Sequence, residues 1–120
     1  MQIAAGVMVT IVAALHVYFL VLEMFLWRTP FGRRTFGMTH EVADSSAVLA
    51  ANQGLYNGFL AAGLVWGLVA YGLVPGRVIL TFFLVCVIVA GLYGAATVSR
   101  RIALVQALPA AIALILVWLS

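Results

Sequence analysis

Four apolar runs fill most of the chain: Gln2–Trp27, Ser45–Val74, Val78–Val98 and Ile102–Leu119. Each approaches or exceeds the roughly 20 mostly apolar residues that a helix needs to cross a hydrocarbon layer. No run alternates apolar with polar residues as a strand does, and a helix satisfies its own backbone groups in lipid. The fold class expected is therefore an all-α membrane protein, a four-transmembrane-helix bundle in one transmembrane domain covering residues 1–120. The breaks between spans are punctuated by Arg28-Thr29-Pro30, Pro75-Gly76-Arg77 and Ser99-Arg100-Arg101. Pro109 falls inside the fourth run, where membrane helices tolerate a kink. Composition closes off the alternatives: 67% of residues are hydrophobic and 8% charged, against about 25% charged in an ordinary soluble domain. That excludes both a water-facing globule and a disordered chain.

The net charge of +3 comes from six Arg, two Glu and one Asp. The arginines are scattered beside apolar runs, so they read as topology signals and not as a nucleic-acid surface. Five of them (Arg28, Arg33, Arg34, Arg100 and Arg101) flank the first and third connections, against Arg77 alone in the second. By the positive-inside bias, both of those connections are cytoplasmic, with the N-terminus and C-terminus outside. The first run lacks a basic leader and is too long for a cleaved signal segment. The cytoplasmic loop 28–44 alternates Phe31, Phe36 and Met38 with Arg33, Arg34 and His40, which suits a segment at the headgroup surface. Thr39 is placed to cap an early start of the second helix. A single cysteine, Cys86, allows no disulfide within the chain.

Ionisable and amide side chains inside spans are costly and face a bundle interior or a cavity. His16 and Glu23 are seven residues apart and share a face, about 10.5 Å apart along the axis. On the second helix, Asn52 with Tyr56 and Gln53 with Asn57 are i,i+4 pairs, and all four occupy an arc of about 140°. Gly54 and Gly58 point the other way as a GxxxG pair, continued by Gly63 and Gly67 as helix-packing positions. Counted from the cytoplasmic ends, these polar groups fall in the inner half of the bilayer. Glu23, His16, Asn52, Gln53, Tyr56 and Asn57 are thus the ligand-binding or proton-exchange candidates. Structural hydrogen bonding between helices is the plainer reading of each amide. Tyr93 and Gln106 read as packing residues and Cys86 as a small buried hydrophobe. No metal site is expected: His16 and His40 lie at different depths, and His40, Glu41 and Asp44 read as a solvated first turn. No cofactor motif is present.

The string Ala51-Asn52-Gln53-Gly54-Leu55-Tyr56-Asn57-Gly58 closely resembles a known family, as do His16-x-Tyr18, Leu22-Glu23-Met24-Phe25-x-Trp27 and Thr29-Pro30-x-Gly32-Arg33. These look like the small bacterial four-helix membrane proteins catalogued as domain-of-unknown-function family 1304. The resemblance covers the whole chain and implies a multi-pass protein of the bacterial cytoplasmic (inner) membrane with no assigned activity.

Three functions fit these residues. The first is a membrane protein that binds or processes a lipophilic small molecule in a polar pocket of the cytoplasmic half, with Glu23 or His16 exchanging protons and the amides orienting the ligand. Its layout is similar to the membrane-associated eicosanoid and glutathione metabolism proteins, in topology alone. The second is a membrane assembly partner, whose glycines favour a homo-oligomer. The third is a proton-coupled exporter using Glu23, which resembles the small multidrug transporters in size and span count.

Overall fold

The computed structural model describes all residues, Met1–Ser120. Every regular element is helical: α1 (Gln2–Met24), α2 (Pro30–Phe36), α3 (His40–Val65), α4 (Arg77–Thr97) and α5 (Leu108–Leu119). Two stretches of π-helix extend these elements, Trp66–Tyr71 after α3 and Ala103–Ala107 before α5. Three helical stretches are long and apolar enough to cross a membrane, namely Gln2–Met24, His40–Tyr71 and Arg77–Thr97. The fourth, Ala103–Leu119, is apolar but shorter.

The ends differ from the sequence expectation in instructive ways. The first helix stops at Met24, short of Trp27. There Phe25 and Leu26 both donate their N–H to Val21 O, at 3.0 and 3.1 Å, and the i−4 ladder ends. The Thr29 hydroxyl then donates to Leu26 O at 2.6 Å. It also accepts from Gly32 N at 3.2 Å, capping α2 with Pro30 at its start. The 28–44 connection is thereby mostly helical. Helix α2 closes on Gly37, whose φ of 63° is left-handed, with Met38 N donating to Arg33 O at 2.8 Å. Thr39 caps α3 through Val42 N, at 3.2 Å, so that helix begins at His40, ahead of Ser45.

Before Pro109 the backbone widens into π turns, and Leu108 N donates to Ala103 O, five residues back. A proline in a helix lacks its N–H and crowds the carbonyl four residues earlier, and a π turn relieves that crowding.

Two compact units can be distinguished: Met1–Ala14 with Leu60–Ser120, and Leu15–Phe59. The first has a continuous apolar core. It buries Ala5, Val9 and Val12 from α1, Leu64 from α3, Leu80, Leu84 and Val87 from α4, and Ala110, Ala113 and Val117 from α5. Helices α1, α4 and α5 each contribute residues three or four apart, the spacing of one helical face. Small residues set how closely these helices meet. A Cβ on Gly91 would stand 2.7 Å from Ala107 N, and one on Gly67 3.0 Å from side-chain carbons of both Ile79 and Leu80; Gly63 lies under the Phe83 ring. Close approach of this kind is how helices gain van der Waals contact. At one end of the unit the Arg77 guanidinium lies 4.9 Å from the centre of the Trp118 ring and donates to Ser120 O at 2.8 Å. Trp118 Nε1 donates to Thr81 Oγ1, also at 2.8 Å.

Candidate functional site

The second unit, Leu15–Phe59, contains the candidate polar residues from His16 to Asn57. Two glycines decide its geometry. A Cβ on Gly54 would lie 2.7 Å from Met24 Cγ, 3.1 Å from Glu23 Cβ and 3.2 Å from the Leu20 carbonyl oxygen. One on Gly58 would lie 2.7 Å from Leu20 Cδ1. The GxxxG face of α3 is therefore applied to the last turns of α1 in the same chain. Side chains this small let the two helices approach closely enough for short polar groups to span the gap.

One such group does. Asn57 Nδ2 donates to Glu23 Oε1, with both residues buried. The sequence reading set Asn57 with the amides, opposite the glycines. It sits instead beside the docked face, because three residues on from Gly54 is a rotation of about 300°, or 60° short of a full turn. Glu23 occupies the last turn of α1, where exposed carbonyls favour a cation over a carboxylate. The one Arg–carboxylate pair of the chain is Arg28–Asp44, and His40 also lies beside Asp44, so Glu23 is held by an amide and not by a basic residue.

The other candidates stand apart from this pair. His16 is fully buried, its ring edge-on to Phe19 with centroids 5.2 Å apart, about two helical turns from Glu23. Asn52, Gln53 and Tyr56 face outward, Tyr56 being 58% exposed with its ring against Phe59. The Asn52 and Gln53 amides make no side-chain hydrogen bond within the chain. The structure thus brings together two of the six candidates, Glu23 and Asn57.

At the end of this unit, beside the His40–Asp44 turn, lies a Trp27 cluster that sequence reasoning did not find. Trp27 Nε1 donates to Ser46 Oγ at 3.0 Å, and Ser46 donates to Val42 O at 2.6 Å. The Trp27 ring packs on Phe36 of α2, centroids 4.8 Å apart. Asp44 Oδ2 lies 3.2 Å from His40 Nδ1, and Asp44 Oδ1 lies 4.0 Å from Arg28 Nη1. The one available signal was a tryptophan ending an apolar run, the usual mark of a membrane–water boundary. Buried Gly32 anchors α2 here, since a Cβ would run into the carbonyls of Leu26 and Trp27.

In the first unit an open apolar groove runs along α4, lined by Phe82, Val85, Cys86, Val89 and Tyr93 among others. Cys86 is half-buried on its wall, and Tyr93 is 71% exposed, not packed inside as its sequence position implied. No candidate site residue lines it.

Comparison with known proteins gives two findings. A family model described as a protein of unknown function, DUF1304, matches residues 10–118. The chain is also similar to "Uncharacterized protein YpaA" of Lactococcus lactis subsp. lactis, with 32% identity over 117 residues, covering 96% of this chain and 97% of that protein. No solved structure matches.

Proposed function

The chain belongs to the DUF1304 family of proteins of unknown function, and we propose that it is a multi-pass protein of the bacterial cytoplasmic membrane, with both termini outside, that binds a lipophilic small molecule at Glu23 and Asn57. Three long apolar helical stretches and the arginine asymmetry support the membrane reading. The observation that carries the ligand reading is the Glu23–Asn57 bond itself. A structural carboxyl in a span is normally paired with a base or turned to water, because the charge is otherwise uncompensated. Here it is buried, at the helix end whose dipole opposes a carboxylate, and held through one oxygen by a neutral amide. A ligand bearing an amine or hydroxyl donor on an apolar body would engage the second oxygen, while the amide oxygen of Asn57 accepts from the same headgroup.

The test is a thermal-shift screen of the purified protein at two pH values, with Glu23→Gln in parallel. The panel holds lipophilic amines and cations, quinones, fatty acyl compounds and glutathione conjugates. The expected result is stabilisation of the parent by several degrees with a lipophilic amine, absent in the variant. If no compound stabilises the parent, or parent and variant respond alike, the reading is wrong. An exporter is less well supported, because a carboxyl in the last turn of α1 lies far from the midplane where exchange sites sit.

A further inference from the structure

We propose that the outward face of α3 carrying Leu49, Asn52, Gln53 and Tyr56 is the contact surface for a second copy of this chain. The glycine face, the usual dimerisation surface of a membrane helix, is already filled by α1 of the same chain. What α3 turns outward is a strip with helix-seam spacing: Leu49 at 75% exposure, then Asn52 and Gln53 one turn on, then Tyr56 and Phe59.

Depth makes the strip costly to leave bare. Trp27 and Ser46 bond to each other where the apolar part of α3 begins. From Ser46, Asn52 is about 9 Å and Tyr56 about 15 Å along the axis, inside the hydrocarbon if the helix stands upright. An amide left unbonded there loses its hydrogen bonds to water without replacement. The Asn52 and Gln53 amides have no bond within the chain to replace them.

The identity of the occupant follows from chemistry. Each amide carries both a donor and an acceptor, and the Tyr56 hydroxyl does too. No charged residue stands between Leu49 and Phe59. Such a strip asks for no oppositely charged partner. It complements itself across a two-fold axis, Asn52 of one copy to Gln53 of the other and the reverse, since the two amides flank the Leu49–Tyr56 midline about 100° apart. Leu49 and Phe59 would pack above and below the bonded layer. The contact is separate from the Glu23–Asn57 site, so either proposal can fail alone.

The experiment uses the full chain in two formats. Sedimentation equilibrium in density-matched detergent compares the parent with Asn52→Leu/Gln53→Leu and with Phe82→Leu on the α4 groove. The parent and the α4 variant are expected to be dimers. The double variant is expected to dissociate at least about tenfold more readily, from two amide pairs worth roughly fivefold each. In membranes, on a Cys86→Ser background, Asn52→Cys is expected to cross-link to its own copy under mild oxidation, and Phe82→Cys is not. The substituted side chains make no bond inside the chain, and far-UV circular dichroism checks that the helices persist. A monomeric parent, an unweakened double variant, or cross-linking through position 82 and not 52 would each overturn the proposal. So would a double variant that keeps its dimer but loses ligand stabilisation, since that outcome gives the strip to the ligand.

Discussion

The Glu23–Asn57 bond makes a quantitative prediction that a single substitution would miss. Asn57→Ala deletes the donor and leaves a buried carboxyl oxygen unpaired, a loss of about 1–3 kcal/mol in a protein interior. Two effects reduce it. Alanine is the better helix former by up to about 0.7 kcal/mol. In a bilayer the unfolded helices also find partners, and side-chain hydrogen bonds between helices average about 0.6 kcal/mol, reaching about 1.7. Both residues are over nine-tenths buried, which places this pair toward the upper part of that range. The coupling in a cycle of Glu23→Ala, Asn57→Ala and the double variant should therefore be about 1 kcal/mol, roughly fivefold in the unfolding equilibrium. The single Asn57→Ala variant loses less, about 0.5 kcal/mol, once its helix gain is counted. Reversible unfolding in mixed micelles, followed by far-UV circular dichroism, reads each corner. A coupling within about 0.3 kcal/mol of zero, the usual scatter of independent sites, would refute the claim that the bond holds α1 to α3.

Other positions give independent tests. Gly54→Leu should lower stability by about 1–3 kcal/mol or more in the same assay, because its Cβ meets Met24, Glu23 and the Leu20 carbonyl. It should also abolish any ligand response that depends on Glu23. Gly91→Val should cost a similar amount, since the obstruction at 2.7 Å is the Ala107 backbone nitrogen and cannot rotate away. Gly37→Ala, at φ 63°, should lose about 1 kcal/mol, and Thr39→Ala about as much through its cap on α3. Amide exchange in these last two should rise around residues 37–43 and not in α4.

The elements that composition announces were legible in the sequence. Long apolar runs and the Pro, Gly and Arg residues between them locate the helices, because a long apolar run satisfies its own backbone groups locally only as a helix. Helix ends were less legible. Phe25, Leu26 and Trp27 continue the apolar pattern beyond α1, while the bonds that end it come from Val21 O and the Thr29 hydroxyl. The side of α3 that meets α1 was readable from Gly54 and Gly58, yet the partition of its polar residues was not. An arc of about 140° is wide enough that its two edges face different surroundings. Asn57 lies on the edge nearest the glycines and is buried, while Asn52 and Tyr56 lie on the other and are exposed. Trp27 to Ser46 was invisible, because nothing in a one-dimensional pattern pairs residues 19 apart across a turn.

The wide turns at Trp66–Tyr71 and Ala103–Ala107 bear on how this chain can change length. A π segment carries a residue more than an α-helix needs to cover the same turn, since each bond reaches one position further back. Removing one residue there would return the backbone to α geometry and leave the faces beyond it in register. Removing one from the middle of α3, between Gly54 and Gly58, would rotate everything beyond the cut by about 100° and turn one of the two glycines off α1. A scan of single-residue deletions, read by folded yield in membranes, should therefore find its tolerant positions in residues 66–71 and 103–107, and sharp loss in residues 50–59.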